Sequence, residues 1–405
     1  MGDVGMKTTS SLFLIVVSLA LLTAPASGGP RKTPALIPNP PEGTLLLGPY
    51  LVGASSSRMV IRWEIQGERA GTIDWRGPDG TPRLDAGVLL LAEPETIDLP
   101  GRMYQVELLD LEPCVTYEYR LDPFESGQGG YPHAFRTPPR SGETCPGGTR
   151  VLVYGDSRTN HNTHTSLMPV IERSKPHLAL NVGDIVHTAR RVYEWHKFFT
   201  IEGRLLGNTP MDIVPGNHEG YKDEAFGQAM MRRYFQHDQH SGTGHRVIDV
   251  GRARFVLLDA YWGEDLSGKG RVWLDEQLRA TPKGWFRFVV MHVPIYSFSH
   301  HRPTEILKGL RAILAKNKVH GVFAGHAHVY EHFDVDGVHY LTLGGTGAPF
   351  HEPREHVVPE EERYYRKGKA FYHVLLIDLD DADARFRVID TKTGKVADEW
   401  RIEAR

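Results

Sequence analysis

From residue 150 onward the chain alternates two hydrophobic patterns. Short apolar runs at 151–155, 177–182, 211–214, 253–259, 285–291 and 319–324 predict buried strands. Between them, apolar positions recur at helical spacing near 163–173, 189–206, 224–236, 271–280 and 304–316. Strands alternating with helices predict a layered α/β domain over residues 150–405. Its last stretch, about 338–402, predicts hairpin-like strands such as 371–379 and 384–390. Residues 45–139 carry a different pattern. Apolar stretches such as 58–64 and 103–109 are separated by Gly, Pro and Asp turns, which predicts an all-β sandwich with Trp63 buried in a strand. A Pro/Gly-rich linker over 140–149 joins the two parts.

The amino terminus has its own signature. An apolar run at 12–22 follows Lys7 and precedes Ala24-Pro25-Ala26, the order of a secretory signal peptide over residues 1–28. The run is short for a membrane span, so the mature chain is expected to have none. A retained amino-terminal anchor helix is the alternative reading. Residues 29–44 read as a linker. The expected location is therefore secreted or periplasmic.

Composition narrows the chemistry. Lys+Arg is 47 against Asp+Glu 50, a net charge of −3, so no basic excess drives phosphate-backbone binding and a nucleic-acid partner is not expected. Two Cys in 405 residues exclude a disulfide-dense scaffold and a four-cysteine zinc site. Export would permit a Cys114–Cys145 bridge; two buried free thiols are the alternative. Of the 21 His, only His133 precedes residue 150.

Those histidines fall into clusters with Asp and Asn, each at the carboxyl end of an expected strand, where open α/β sheets place ligands. The clusters are Gly155-Asp156-Ser157-Arg158, Asn181 to His187 with Asp184 inside, Pro215-Gly216-Asn217-His218-Glu219, Val290-Met291-His292 and Gly325-His326-Ala327-His328. Their donors suit Mn, Fe or Zn. A Gly in four of the five clusters lets the chain turn sharply off its strand. No His-Glu-x-x-His or Gly-x-Ser-x-Gly is present, which argues against zinc-peptidase and serine-hydrolase chemistry.

Over about residues 150–350 these blocks resemble the calcineurin-like metallophosphoesterase superfamily. The sandwich in front, His292-Val-Pro-Ile-Tyr296 followed by His300-His301, Phe323 to Glu331 and Leu343 to Pro349 resemble its purple acid phosphatase branch. The resemblance implies a fibronectin type III-like sandwich followed by an α/β domain with a two-sheet core flanked by helices. It also implies two divalent or trivalent transition-metal ions. Asp156, Asp184 and His328 would hold the first; Asp184, Asn217, His292 and His326 would hold the second. His218 would donate a proton to the leaving group or stabilise the transition state. His300 and His301 would reach the phosphate.

Two positions depart from that branch. Arg158 stands where purple acid phosphatases have Gly, and stays protonated, so it is expected to bind phosphate rather than metal. His187 stands where they have a metal-binding Tyr, and is expected to complete the first site. The implied function is an exported binuclear phosphoesterase acting on phosphomonoesters by attack of a metal-bound hydroxide. The alternatives are a phosphodiesterase on a nucleotide or lipid headgroup, and a non-catalytic exported metal-binding or adhesion module.

Overall fold

Eight short strands open the described part of the chain: β1 (Leu45–Ser55), β2 (Arg58–Ile65), β3 (Thr72–Arg76), β4 (Pro82–Asp85), β5 (Leu89–Leu90), β6 (Arg102–Leu108), β7 (Thr116–Asp122) and β8 (His133–Arg136). They pair as two four-stranded sheets, β1-β2-β6-β5 and β4-β3-β7-β8. Side chains alternate across each strand, so Ile73 and Trp75 turn inward with Tyr117, Tyr119 and Leu121. They meet Met59, Ile61 and Trp63 from the other sheet, and the Trp63 ring is fully buried. This is the expected sandwich. The computed structural model describes residues 40–85, 87–91, 99, 101–125, 130–235, 244–261 and 266–403. The signal-peptide reading of 1–28 and most of the 29–44 linker lie outside the described residues.

The α/β part runs β9 (Thr149–Tyr154), α1 (His161–Arg173), β10 (Leu178–Asn181), α2 (Val192–Leu206), β11 (Met211–Ile213), α3 (Asn217–Gly220) and α4 (Glu224–Phe235). It continues with β12 (Arg246–Val250), β13 (Ala253–Leu257), α5 (Lys269–Arg279), β14 (Phe286–Val290), α6 (Glu305–Lys308), α7 (Arg311–Lys316) and β15 (Gly321–Ala324). It closes with β16 (Tyr330–Val335), β17 (Val338–Leu343), β18 (Tyr365–Lys369), β19 (His373–Leu379), β20 (Asp383–Asp390) and β21 (Val396–Glu403). The helix expected over 304–316 is broken into α6 and α7 with Gly309, a poor helix former, at the break. Among the described residues no helix is long and apolar enough to cross a membrane.

Two sheets carry the domain, β11-β10-β9-β19-β20-β21 and β12-β13-β14-β15-β17-β16-β18. In β9, Val151 and Val153 face the second sheet, while Leu152 and Tyr154 face α1 and α2. That two-sided burial makes β9 a continuous apolar run rather than an alternating one. The second sheet covers its outer face with Leu274 and Leu278 of α5 and Leu314 of α7. The parallel strands β9, β10 and β11 and the parallel strands β13, β14 and β15 point their carboxyl ends to one edge of the two-sheet core.

The sandwich packs on the α/β part within one compact unit, Asn39–Arg405. Tyr50 of β1 lies 4.6 Å from the Phe199 ring of α2 and donates its hydroxyl to the Tyr234 carbonyl at 2.8 Å. Beneath it, the buried Glu64 carboxylate accepts from Arg233 at 2.9 Å and lies 3.0 Å from His196 Nε2. Cys114 and Cys145 are disulfide-bonded, which ties the segment before β9 to the sandwich.

Candidate metal centre

Five loops leave the parallel strands at this edge and carry the expected cluster residues. Asp156 follows β9, Asp184 follows β10, Asn217 and His218 follow β11, His292 follows β14, and His326 and His328 follow β15. Three of these donors hold the left-handed backbone conformation: Asp156 at φ 58°, Asp184 at φ 60° and His326 at φ 66°. Non-glycine residues adopt it seldom, and where they do it often marks a functional loop held by its surroundings. Here the surroundings are visible. Asp156 takes the His326 amide on its carboxylate at 3.0 and 3.1 Å, and its own amide donates to the Gly183 carbonyl at 2.9 Å. Gly183 is needed at φ 94°, because a side chain there would come within 2.6 Å of the Gly216 nitrogen.

Donor atoms converge around Asp184 and Asn217. Asn217 Oδ1 lies 3.2 Å from His292 Nε2 and 2.9 Å from His326 Nδ1. His292 donates its Nδ1–H to the Val182 carbonyl at 2.6 Å, which leaves Nε2 facing Asp184 Oδ1 at 3.4 Å. A donated second nitrogen that fixes the ring is the usual support of a metal-binding His. Carboxylate oxygens of Asp156 and Asp184 and a ring nitrogen of His292 all lie within 4.8 Å of one another, and all three residues are buried. The charges respond to this crowding. Burial opposes ionisation of Asp184, but His292, His218 and Arg158 hold its carboxyl down at about 2. Burial, reinforced by His292 and His301, pulls His326 down to about 2 and keeps its ring neutral.

Asp156 also meets His328, whose Nε2 is 3.4 Å from Asp156 Oδ1 and whose Nδ1–H donates to the Pro349 carbonyl at 2.6 Å. The neighbour of this group is Arg158. Its Nε–H donates to Asp184 Oδ2 at 3.1 Å and its Nη2 lies 3.3 Å from His328 Nε2. The His187 ring lies tilted 5.2 Å from the His218 ring and edge-on 6.5 Å from the Tyr221 ring, and its buried Nδ1 has no hydrogen-bond partner. Its amide is held by the Glu194 carboxylate, which ties this loop to α2.

His218 donates Nδ1–H to the His187 carbonyl at 2.6 Å, and its Nε2 stands 3.9 Å from Asp184 Oδ2. Burial lowers its pKa against the pull of Asp184. The pair at 300–301 divides. The His301 ring lies 4.1 Å from His326, over the centre, whereas His300 faces outward beside Glu355 at 3.3 Å.

Three residues at the site carry no role in the sequence-based expectations. Glu219 is buried and accepts from the amides of Asp184, Ile185 and Gly216. Its position three residues after Gly216, the first-turn carboxylate of a helix start, was the available signal. His351 stacks on His328 at 4.1 Å and accepts the His328 amide at 3.1 Å. Tyr261 lies 5.8 Å from His292, its hydroxyl pKa raised by burial and by Asp184 and Asp156. Neither stands in a patterned block, so neither left a sequence signal.

Residues 149–330 match the family described as calcineurin-like phosphoesterase. The chain is 27% identical over 290 residues to purple acid phosphatase 15 of Arabidopsis thaliana, a match covering 61% of this chain and 54% of that protein. It is 24% identical over 332 residues to purple acid phosphatase 21 of the same plant, covering 75% of this chain and 72% of the relative. The chain thus spans about half the length of the first of these relatives. Its fold superposes on a purple acid phosphatase from yellow lupin (Lupinus luteus) seeds with a TM-score of 0.71 at 16% identity, covering 88% of this chain and 74% of the other.

Proposed function

We propose that this chain, whose residues 149–330 match the calcineurin-like phosphoesterase family and which is similar to purple acid phosphatases, is an exported, metal-dependent hydrolase of phosphate monoesters. The observation that supports this most is the convergence of Asn217 Oδ1, His292 Nε2 and His326 Nδ1 beside Asp184. One carboxylate, one amide oxygen and two imidazoles fit a Mn, Fe or Zn ion. Such an ion supplies Lewis-acid polarisation of a phosphoryl oxygen and an acidified water.

The remaining work falls to the chain's own side chains. With Nδ1–H given to the His187 carbonyl, His218 has Nε2 left to present a proton to the leaving-group oxygen. Arg158 and His301 are donors for the phosphoryl oxygens. Several donors in one crevice suit a dianionic monoester better than a singly charged diester. Export is supported by the apolar run at 12–22 and by the Cys114–Cys145 bridge, which fits an oxidising compartment.

The test is hydrolysis of an aryl phosphate before and after chelation, with Asp184→Asn alongside. Activity should vanish on chelation and return with Mn, Fe or Zn, and Asp184→Asn should lose both turnover and bound metal. Near-normal turnover in that variant with full metal content would rule the reading out.

A further inference from the structure

We infer that the Arg158 guanidinium takes the place of the first metal ion, so that this chain works with one bound cation and one built-in organic cation. The inference rests on the phosphoesterase reading and departs from the two-ion centre that the resemblance implies.

A cation in the first position would need lone pairs from Asp156, Asp184 and His328. Two of those three residues already direct theirs at Arg158. Asp184 Oδ2 accepts Nε–H at 3.1 Å. His328 has its hydrogen on Nδ1, bonded to the Pro349 carbonyl, so the atom 3.3 Å from Arg158 Nη2 is its Nε2 lone pair. That lone pair is the one a metal would use.

The arginine is also anchored. Its backbone amide donates to the Asp184 carbonyl at 3.1 Å, and its Nη1 donates to Thr159 Oγ1 at 3.2 Å. The side chain is largely buried against Asp184. A permanently charged group held this close repels an incoming divalent ion and offsets the same carboxylate charge. The other donor group, Asp184 Oδ1 with Asn217, His292 and His326, is untouched by Arg158. Guanidinium N–H groups beyond those already used stay available to a phosphoryl oxygen.

The experiment counts metal. Wild type, Arg158→Gly and Arg158→Gln are purified, loaded with Mn(II), desalted and analysed by elemental mass spectrometry and by electron paramagnetic resonance. Wild type is expected to hold one ion per chain with the spectrum of an isolated Mn(II). The glycine variant is expected to hold two with an exchange-coupled spectrum, and the glutamine variant reports the same gain if the glycine variant does not fold. Two coupled ions in wild type would overturn the inference and leave the phosphoesterase reading standing. One ion in wild type and still one in both folded variants would also overturn it. No bound ion in any form would overturn both.

Discussion

The backbone N–H of Asp184 donates to Glu219 Oε2 at 2.9 Å, tying the loop after β10 to the first turn after β11. The same carboxylate accepts from Ile185 at 2.8 Å and from Gly216 at 2.7 Å. Both oxygens are therefore used on amides that would otherwise be buried without partners. Glutamine offers one acceptor oxygen and turns an NH2 toward those donors. Glu219→Gln is expected to weaken metal affinity ~10–100-fold, the range for a residue that orients ligands from behind. Metal titration checks it, with circular dichroism to show that the fold persists. Unchanged affinity would mean that the two loops hold their shape without the carboxylate.

Much of this architecture was legible because pattern and structure share a cause. The run at 151–155 is apolar throughout and that at 285–291 is broken only by half-buried Arg287, because β9 and β14 are buried strands, and the donors follow where each strand ends. Trp63 was legible for the same reason. What escaped the sequence were relationships between distant segments. His351 meets His328 across 23 positions. Arg158 reaches His328 across 170 positions, and no local pattern encodes that reach. Nor does spacing along a loop fix which way the His187 ring turns.

Gly183 offers a second test of loop geometry. Its φ of 94° disfavours any side chain, and a Cβ would stand 2.6 Å from the Gly216 nitrogen. Backbone cannot move aside as a flexible side chain can. Gly183→Ala should force the loops bearing Asp184 and Asn217 apart, lowering metal affinity at least as much as Glu219→Gln does. The left-handed backbone adds a cost of about 1–2 kcal/mol. Calorimetric metal titration together with thermal unfolding separates the two effects. Wild-type affinity in a merely less stable variant would show that the loops are not coupled at this point.

The join between the sandwich and the α/β part rests on a buried charge. Arg233 donates to Glu64 Oε1 at 2.9 Å and to the Gly101 carbonyl at 2.8 Å, and both charged side chains are almost wholly buried. Removing one partner of such a pair strands the other charge in a low-dielectric interior. Glu64→Gln is expected to cost ~3–5 kcal/mol of stability by denaturant unfolding. Metal content at low denaturant should stay at the wild-type level, since Glu64 lies beneath the sandwich interface rather than at the centre. A loss below about 1 kcal/mol would mean that the guanidinium finds other partners.

Glu331 at the start of β16 gives the pH dependence a sign. Its carboxylate takes the Ser297 hydroxyl at 2.6 Å and the Phe298 amide at 2.9 Å, which shapes the loop leading to His301. Burial nevertheless outweighs those hydrogen bonds and pushes its pKa from 4.5 up to about 7. Between those two values the folded protein keeps a proton that the unfolded chain has released. Raising the pH through that window therefore favours the unfolded chain, and stability falls. Glu331→Gln cannot ionise and lacks this contribution. Wild-type stability measured relative to that variant should decline from about pH 5 to about pH 7 and level off above it. Chemical denaturation of both proteins at a series of pH values reads the difference directly. A difference that stays flat across the window would show that the two hydrogen bonds, not burial, set the charge of Glu331.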